Sequence, residues 1–341
     1  MSRLRVATVG AGYFSAFHHD AWNRIPEVEL VAVCDADAGK AQAYAERFQI
    51  PETFTYIATM LDAVGPDLVD IATPPATHLG LIRETMARRV ATICQKAFCR
   101  SLDEAETAVG LADTAETLLV VHENFRFQPW HRELKRQLDA GRIGELYQIS
   151  FRLRPGDGQG PRAYLDRQPY FQQMDRFLVH ETAIHLIDVF RYLLGEPEAA
   201  MARLTRLNPA IKGEDSGVML LEFDGNRRAL FDGNRLVDHI AQNRRLTMGE
   251  MLAEGATGVI RLDGDGRLFH RGFGSNEEEP IGYDWKDQGF AGDSVLAFQR
   301  HVVDHLLGRG AIVTLASDYL ANLRIEEAVY RASAEGRLVT L

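Results

Sequence analysis

The stretch Gly10-Ala11-Gly12-Tyr13-Phe14-Ser15 directly follows the apolar run Leu4–Val9 near the start of the chain. It matches the dinucleotide-binding pattern G-x-G-x-x-G except that serine stands at the third glycine position. In such a turn the first glycine permits the bend, and the second lets the backbone approach a pyrophosphate at a helix N-terminus. The third position governs only helix packing, for which serine is small enough. The stretch therefore predicts a nucleotide site with Gly10 and Gly12 at the cofactor and Tyr13 and Phe14 beside it.

The rest of the first third alternates short apolar runs with amphipathic stretches, as a parallel sheet wound with helices does. The predicted strands are Leu4–Val9, Leu30–Cys34, Leu68–Ala72, Val90–Cys94 and Leu118–His122. The predicted helices are Phe14–Arg24, Ala38–Phe48, Thr77–Arg88 and Leu102–Glu116. We therefore expect a Rossmann-type, doubly wound parallel sheet that binds its ligand at the carboxyl ends of the strands.

Asp35 stands at the end of the second predicted strand, at the distance from the glycine turn where an acid meets the adenosine ribose. A carboxylate accepts hydrogen bonds from ribose hydroxyls and repels a 2′-phosphate, so Asp35 favours NAD over NADP. The alternative is that Asp35 caps the next helix. Thr73 and Pro74 end the third strand in a loop that would cover the dinucleotide. His78 either contributes to that loop or only begins the next helix.

The pattern changes after about Phe127, which divides the chain into predicted domains 1–127 and 128–341. A helix is expected over Pro129–Ala140, a strand over Leu146–Arg154 and a Gly-rich loop up to Pro161. A helix over Val179–Leu194 follows. Further strands are predicted at Val218–Phe223, Arg228–Phe231, Arg245–Met248 and Val259–Leu262, with final helices at Ser294–Leu307 and Ser317–Ala334. Asp-Gly and Gly-Asn pairs between the strands favour hairpins, which predicts an α+β domain with a largely antiparallel sheet.

Composition narrows the class of function. The chain has 341 residues, with 38 Lys+Arg against 48 Asp+Glu and a formal charge of -10. An acidic balance argues against nucleic acid or an anionic membrane as partner and favours a small molecule. Three cysteines form no disulfide framework, and no run approaches the roughly 18 apolar residues of a membrane span. We expect a soluble cytoplasmic protein.

Together these features resemble the glucose-fructose oxidoreductase and inositol dehydrogenase (Gfo/Idh/MocA) family. The resemblance covers nearly the whole chain and rests on Gly10–Ser15, Val33–Asp35, Ala72–Pro75 with His78, the segment around Lys96, Glu123–Phe127, and the helix carrying His185 and Asp188. It implies an NAD-dependent hydride transfer between the nicotinamide and a hydroxyl-bearing carbon of a sugar acid, sugar or polyol. It also implies a C-terminal domain with an open sheet that commonly packs against a second copy, giving a homodimer or homotetramer.

The family usually carries Glu-Lys-Pro after its fifth strand, where this chain has Gln95-Lys96-Ala97. The resemblance implies that Gln95 and Lys96 lie at the cofactor and that Lys96 orients or deprotonates the reacting hydroxyl. The alternative is an ordinary surface lysine. Loss of the neighbouring carboxylate and of the proline leaves the local charge and backbone geometry open.

The second family signature, Asp-x-Gly-x-His-x-x-Asp, is replaced here by the segment Glu181–Asp188. On an α-helix at about 100° per residue, Glu181, His185, Asp188 and Tyr192 would lie within about 60° of one another. The resemblance implies that His185 is the general base, since histidine changes charge near neutral pH. Glu181 would orient it or bind a substrate hydroxyl, and Asp188 would support the helix or the substrate. The alternative is a solvated polar face.

A local excess of positive charge precedes this helix. Residues 126–176 hold ten Lys+Arg against six acids. Arginine binds carboxylates through two parallel hydrogen bonds, so Arg126, Arg154 and Arg162, with the aromatic Tyr164, predict an anionic substrate such as an aldonate. Glu123 is a further candidate for binding substrate hydroxyls.

A more specialised hypothesis comes from the departures from the family pattern. Residues 123–130, the Gly-rich loop and residues 180–185 resemble a subgroup that acts on branched sugar acids, the D-apionate oxidoisomerase type. Migration of a carboxylate needs a Lewis acid, and Mg²⁺ prefers carboxylate oxygens. Glu123 and Glu181 are the candidate ligands. A further alternative, suggested by Gln95 and Ala97, is an NAD-binding regulator that has lost catalysis.

Overall fold

The computed structural model describes residues 3–341, which divide into two compact units. Unit 1 comprises the described residues up to Asn124 together with Asp293–Ala321. Unit 2 comprises Phe125–Gly292 and Asn322–Leu341. The division differs from a single boundary near residue 127, because a late segment of the chain returns to unit 1.

Unit 1 is built on alternating strands and helices. Its elements up to residue 122 are β1 (Leu4–Val9), α1 (Ser15–Asn23), β2 (Val28–Cys34), α2 (Ala38–Phe48), β3 (Glu52–Phe54), α3 (Ile57–Val64), β4 (Leu68–Ile71), α4 (His78–Ala87), β5 (Ala91–Gln95), α5 (Leu102–Ala115) and β6 (Leu119–His122). The six strands lie in the order β3-β2-β1-β4-β5-β6, and each pair is parallel. The predicted doubly wound parallel sheet is confirmed.

Sequence reasoning missed only β3 and α3 in this part of the chain. Strand β3 has three residues, two of them exposed, so it lacks the apolar run that marks the other strands. The central strands are buried on both faces, as helices on each side of a parallel sheet require.

The remaining elements begin after Phe127. They are α6 (Pro129–Asp139), β7 (Leu146–Leu153), α7 (Ile184–Leu194), β8 (Ala199–Thr205), β9 (Ser216–Glu222), β10 (Arg228–Asn234), β11 (Gly249–Gly255), β12 (Gly258–Leu262), β13 (Leu268–Gly272), β14 (Glu279–Ile281), α8 (Ser294–Leu306), α9 (Ala316–Glu335) and β15 (Val339–Thr340). Nine strands form the sheet of unit 2, in the order β14-β13-β12-β11-β7-β10-β9-β8-β15. Only β7 and β10 pair in parallel among them. The predicted mostly antiparallel sheet is confirmed.

The predicted strand Arg245–Met248 is wrong. These residues form turns, and the strand begins at Gly249. Met248 adopts a φ of 60°, in the left-handed region that a strand cannot contain. The buried Thr247 hydroxyl donates to the Gly249 carbonyl at 2.7 Å, which stabilises the turn in place of a ladder.

Helix α8 belongs to unit 1 through specific contacts. The Asn124 amide donates to the Ser294 hydroxyl at 2.7 Å, and the Gln299 amide donates to the His18 carbonyl at 3.3 Å. The Phe298 ring lies 4.4 Å from the His122 ring, measured between centroids. These contacts are the physical reason that the late segment joins the first part of the chain. Within residues 3–341, the structure contains no helix both long and apolar enough to cross a membrane.

Candidate active site

The two glycines of the turn, Gly10 and Gly12, have different roles. Gly10 has a φ of +108°, and a Cβ built on it would lie 2.5 Å from the carbonyl oxygen of Ala72, so a side chain does not fit. Its N–H donates to the Cys34 carbonyl at 2.8 Å, which joins the turn to β2. A Cβ on Gly12 would meet nothing within 4 Å. Gly10 therefore fixes the bend, and Gly12 leaves open space over the main chain, as close approach of a pyrophosphate requires.

Serine fits the third glycine position and adds a hydrogen bond there. Ser15 is buried at the start of α1, and its hydroxyl donates to the Gly12 carbonyl at 2.7 Å. The Tyr44 hydroxyl, which sequence reasoning did not single out, donates to the same carbonyl at 2.7 Å. Next to them, Tyr13 is 44% exposed and Phe14 precedes the first helical turn. The turn is thus held from two sides.

Asp35 lies directly after β2 and binds the glycine turn. Its Oδ2 accepts the Ala11 N–H at 2.7 Å, and its Oδ1 accepts the Asp37 N–H at 2.9 Å. The helix cap is Asp37, whose carboxylate accepts the N–H groups of Gly39 and Lys40. The alternative in which Asp35 caps α2 is therefore wrong. Its carboxylate stands at the end of β2, where the ribose of a dinucleotide binds in this fold.

The loop after β4 is held by His78. This side chain is buried, and its Nε2–H donates to the carbonyl of Thr73 at 2.7 Å. Burial lowers the pKa of His78 to about 4, although the bond to Thr73 acts in the opposite direction. A neutral His78 therefore fixes the Thr73-Pro74 turn, and it also begins α4. Both sequence interpretations of His78 describe part of its role.

Lys96 follows the last residue of β5 and is partly buried. Its N–H donates to Gln95 Oε1 at 2.7 Å, and Gln95 Nε2 lies 3.2 Å from His18 Nε2. The Lys96–Ala97 peptide bond is cis. Gln95 thus contacts the main chain of Lys96 on one side and a buried histidine on the other.

A polar cluster that sequence reasoning missed surrounds that histidine. Asp70 of β4 is fully buried, and its Oδ2 lies 2.8 Å from His18 Nδ1. The Trp22 indole N–H donates to the same oxygen at 2.7 Å. Burial would raise the pKa of Asp70, but the interactions of its carboxylate with His18, His122 and Trp22 together outweigh burial, and the pKa is lowered. Asp70 sits inside an apolar strand, LVDI, and a buried carboxylate in such a run was the available signal.

Glu123 directly follows β6 in unit 1 and is fully buried. Its N–H donates to the Val121 carbonyl at 2.7 Å. This places a buried carboxyl side chain at the carboxyl end of β6, an edge strand of the sheet, next to Asn124 in the sequence.

In unit 2, Arg126 and Asp188 bind each other. Arg126 Nε donates to Asp188 Oδ2 at 2.7 Å, and a terminal nitrogen donates to Oδ1 at 2.5 Å. Asn322 also donates to Oδ1, at 3.0 Å. Both residues were predicted to bind substrate, and the structure instead engages Asp188 with three protein donors. This arrangement supports α7, which is the structural alternative that the sequence left open for Asp188.

His185 lies in the first turn of α7 and is 6% exposed. Its ring stacks on Phe125 with centroids 3.9 Å apart and planes 4° from parallel. Phe125 belongs to the Glu123–Phe127 segment that the sequence singled out, but the stacking contact was not predicted. The aromatic contact fixes the plane of the imidazole, as a group that transfers a proton along one direction requires.

The single α-helix predicted over Val179–Leu194 is wrong in its first part. Residues Leu178–Ala183 form a π-helical turn, and the α-helix begins only at Ile184. The expected alignment of Glu181 with His185 assumed 100° per residue, which a wider turn does not follow. The Glu214 carboxylate accepts the N–H groups of Phe177 and Val179, each at 3.1 Å, and so stabilises the start of this turn.

The other residues predicted to bind substrate form hydrogen bonds or ion pairs with residues of unit 2. Arg154 donates to the carbonyl and the carboxylate of Asp232. Arg162 is exposed and pairs with Asp166 at 3.0 Å. Tyr164 is buried, and its hydroxyl accepts the Arg235 Nε–H at 2.8 Å.

Arg235 was missed by sequence reasoning although it organises this region. It is fully buried, and its guanidinium donates to both carboxylate oxygens of Asp157, at 3.2 and 2.9 Å. It also donates to the Thr182 hydroxyl at 2.6 Å, next to Glu181 in the π turn. Arg235 therefore joins the Gly-rich loop, through Asp157, to the segment that carries Glu181.

A protein-built metal site is absent from the structure over residues 3–341. No group of three or more His, Cys, Asp or Glu side chains is placed to hold a metal ion there. Glu123 and Glu181, the two carboxylates predicted as ligands, are two where Mg²⁺ takes about six oxygen ligands. Mg²⁺ usually keeps several waters and takes one or two carboxylates together with substrate oxygens, so these two residues would be partial ligands and not a closed protein site.

Two family models match the chain. The first, described as an oxidoreductase family with an NAD-binding Rossmann fold, matches residues 4–123. The second, described as the GFO/IDH/MocA C-terminal domain, matches residues 131–250. Together they cover most of both units.

Individual relatives agree with this match. A D-apiose dehydrogenase of Paraburkholderia graminis is 34% identical, covering 100% of this chain and 90% of its own. A D-apiose dehydrogenase of Rhizobium rhizogenes is 31% identical, covering 100% and 98%. Among solved structures, an Agrobacterium radiobacter oxidoreductase in complex with NAD+, L-tartaric acid and magnesium is 30% identical. It superposes with a TM-score of 0.89 over 99% of this chain and 98% of that one.

Proposed function

We propose a substrate and a division of roles from one premise: the chain belongs to the Gfo/Idh/MocA oxidoreductase family. Members of this family that resemble it are NAD-dependent sugar or polyol dehydrogenases acting on CH–OH groups. The proposed substrate is a branched aldose of the D-apiose kind. The observation that carries this choice is the similarity to two D-apiose dehydrogenases over the full length of the chain.

The internal pairing of the arginines supports a neutral sugar over a sugar acid. Arg126 is engaged by Asp188 and Arg154 by Asp232. Arg162, Arg167 and Arg176 likewise pair with carboxylates of unit 2. A guanidinium that already forms such a pair offers little to a substrate carboxylate. The local positive charge seen in the sequence is therefore largely compensated, and an anionic substrate is the second candidate.

The cofactor is NAD. We assign to Asp35 the selection of NAD over NADP. Gly12 leaves the main chain open for the pyrophosphate, and Asp35 presents an anionic group at the end of β2. We expect Asp35→Ser to raise kcat/KM with NADP+ by about tenfold, because repulsion of the 2′-phosphate is removed. Steady-state kinetics with both cofactors measure this. A control, Asp37→Ser, retains the helix cap and should leave the ratio unchanged.

The chemistry divides between a hydride and a proton. Oxidation converts CH–OH and NAD+ into C=O, NADH and one proton, and the nicotinamide supplies the hydride acceptor. We assign acceptance of the hydroxyl proton to His185, whose ring is held by Phe125. We assign to Lys96 a hydrogen bond to a substrate hydroxyl, which favours the anionic form of that oxygen. Glu181 binds a substrate hydroxyl from the π turn, and Glu123 is assigned a second hydroxyl.

A magnesium-assisted oxidoisomerase of a branched sugar acid is the alternative. The magnesium and tartaric acid named in the Agrobacterium radiobacter complex favour it, whereas the ligand set of this chain alone does not. A metal would have to draw most of its ligands from the substrate, so no step is assigned to it.

One experiment separates these functions. The purified protein is incubated with NAD+ and either D-apiose or D-apionate, with excess EDTA or with added Mg²⁺, and NADH formation is followed by absorbance. We expect turnover of D-apiose that is unchanged by EDTA. Turnover of D-apionate alone, lost in EDTA, would replace the proposal with the oxidoisomerase. Binding of NAD+ without oxidation of any sugar or sugar acid would favour the non-catalytic regulator.

We also propose that the enzyme acts in the cytoplasm as a homodimer or homotetramer. The three cysteines are buried free thiols, which suits a reducing compartment. Tyr147, Met201 and Val218 expose apolar side chains on strands of the unit 2 sheet, as a face that packs against a second copy would. Light scattering after size-exclusion chromatography measures the assembly, and a monomer of 38.2 kDa would contradict it.

A further inference from the structure

Three buried side chains in unit 1 connect β4 to the main chain of Lys96. Asp70 Oδ2 lies 2.8 Å from His18 Nδ1, and His18 Nε2 lies 3.2 Å from Gln95 Nε2. Gln95 Oε1 accepts the Lys96 N–H at 2.7 Å. Asp70 and His18 are fully buried, and Gln95 is 9% exposed. Because bulk water does not reach these groups, each must be satisfied by its neighbours.

The main chain of Lys96 determines which way the Gln95 amide points. A backbone N–H can only donate, so it requires the amide oxygen, and not the NH₂ group, as its partner. The NH₂ group is then the part of Gln95 that faces His18. A flipped amide would place two donors against each other at the Lys96 N–H, inside a buried region where that is costly.

The orientation of Gln95 in turn determines the proton on His18. The NH₂ group donates, so His18 Nε2 must accept and carries no proton. The single imidazole proton therefore sits on Nδ1 and is donated to Asp70. His18 is thus a neutral imidazole in one tautomer, held between an amide donor and a carboxylate acceptor.

The other groups around His18 leave this assignment intact. His122 stacks on it, with centroids 4.1 Å apart, and offers a ring face. His19 is bonded to the Thr8 hydroxyl and to the Ser15 carbonyl, and burial lowers its pKa to about 4, so it is neutral. From α8, Gln299 contributes an amide that donates to the His18 carbonyl. Within residues 3–341, the formal charge that hydrogen-bonds directly to the His18 ring is the Asp70 carboxylate.

We infer that Asp70, His18 and Gln95 form a positioning array for Lys96, in which glutamine at position 95 holds His18 as the neutral Nδ1–H tautomer. Glutamate, the residue that the family pattern leads one to expect there, would accept the Lys96 N–H equally well. Its second oxygen would then require a proton on His18 Nε2. With glutamine instead of glutamate at position 95, His18 therefore carries one proton fewer, and the hydrogen bond to the Lys96 N–H is kept.

The part of this inference that concerns activity rests on the proposed role of Lys96, so the first test does not use activity. Two-bond ¹H–¹⁵N correlation spectra of the full-length protein labelled with ¹⁵N-histidine report which ring nitrogen carries a proton. His18 is assigned from the signal lost in His18→Asn. We expect His18 to be the neutral Nδ1–H form. A proton on His18 Nε2 would overturn the inference.

The same spectra of Gln95→Glu provide the second measurement. We expect both nitrogens of His18 to become protonated, since the introduced carboxylate only accepts. A neutral His18 in a folded Gln95→Glu protein would contradict the array.

A matched pair of substitutions tests the effect on Lys96. Gln95→Met removes both hydrogen bonds at similar volume, and we expect kcat to fall about 10- to 100-fold with little change in KM for NAD+. Gln137→Met makes the same change in α6 of unit 2, where an equally buried glutamine donates to Glu133. Equal effects of the two on kcat would show that Gln95 is merely structural. If no sugar is oxidised, the proposed function is wrong, but the spectra still show whether His18 is held in the neutral Nδ1–H form.

Discussion

The predicted cofactor residues and the predicted substrate residues are held in different ways. In unit 1, Ser15, Asp35 and His78 all bond to main-chain atoms at the ends of strands or in the turns that follow them. In unit 2, Arg126 and Arg154 bond to carboxylate side chains, although Arg154 also donates to main-chain carbonyls. The first kind of contact shapes the backbone around a ligand, and the second compensates charge within the protein.

The difference teaches which motifs can be interpreted from a sequence. A turn that needs a particular backbone shows this need in neighbouring residues, as Gly10, Gly12 and Ser15 do. A charged side chain looks available for a ligand until its partner is known. The partner of Arg126 is 62 residues away and that of Arg154 is 78 residues away, so the sequence did not show that both guanidinium groups are paired within the protein.

The largest expected effect tests whether unit 2 contributes chemistry at all. His185→Ala removes the proposed proton acceptor, so we expect kcat/KM for the sugar to fall about 10³-fold. NAD+ affinity, measured by calorimetry, should stay the same because the glycine turn and Asp35 are untouched. A control, His305→Ala, changes a partly exposed histidine and should leave turnover unchanged. Normal turnover of the His185 variant would restrict unit 2 to binding.

Acid is expected to weaken the backbone contacts of unit 1. His78 has a pKa lowered to about 4 by burial, against about 6.5 when unfolded. Its neutral form is therefore favourable above pH 6.5, and that stability is lost as the pH falls towards 4, up to about 3 kcal/mol. His78→Gln keeps a donor for Thr73 and should reduce this loss. Urea unfolding between pH 7 and 4 measures it.

The matched change in unit 2 sharpens this test. His131 is buried, donates to the Phe125 carbonyl at 2.9 Å and also has a pKa lowered to about 4 by burial. His131→Gln should reduce acid sensitivity by a similar amount. Identical pH profiles for both variants and the wild-type protein would show that protonation of these histidines does not change the free energy of unfolding.

Two glycines of one turn separate folding from binding within unit 1. Gly10→Ala forces a Cβ against the Ala72 carbonyl at a positive φ, so we expect a loss of about 2–3 kcal/mol of unfolding free energy. Gly12→Ala has room for its Cβ, so stability should be retained while NAD+ binds about tenfold more weakly. Denaturation and calorimetry measure the two effects. Equal stability losses would remove the distinction.

The smallest expected effect concerns a compensated arginine. Arg154→Met removes a guanidinium engaged by Asp232, and we expect KM for a neutral sugar to change by less than about twofold. KM for a sugar acid should be equally insensitive. A tenfold rise in KM for the acid alone would show that this arginine exchanges its partner for a substrate carboxylate, and would break the comparison between the units.

Much of the fold followed from the sequence. In unit 1, most predicted strand and helix boundaries lie within two residues of those observed, because apolar runs between polar helices mark a parallel sheet. The division of the chain was harder to predict. Nothing local in Ser294–Leu306 indicates that its Gln299 reaches the His18 carbonyl.

The candidate site was predictable where it depends on spacing and unpredictable where it depends on distant partners. The residues Leu178–Ala183 include no glycine or proline, so the π turn had no local signal. Glu214, about 35 residues later, stabilises its first N–H groups. The buried pair His18 and Asp70 was equally hidden, because 52 residues separate its members. The roles of Lys96, His185 and Glu181 stay predictions until the variants are measured.

The discontinuity of unit 1 has a consequence for biosynthesis. Domains generally fold as units while the ribosome adds residues from the N-terminus. Here the segment carrying Phe298 and Gln299, which covers His122 and the His18 carbonyl, emerges only after the whole central part of the chain. Unit 1 therefore completes its core only after residues 125–292 have been synthesised. Until then, the polar cluster around His18 and Asp70 in the nascent chain is exposed to water.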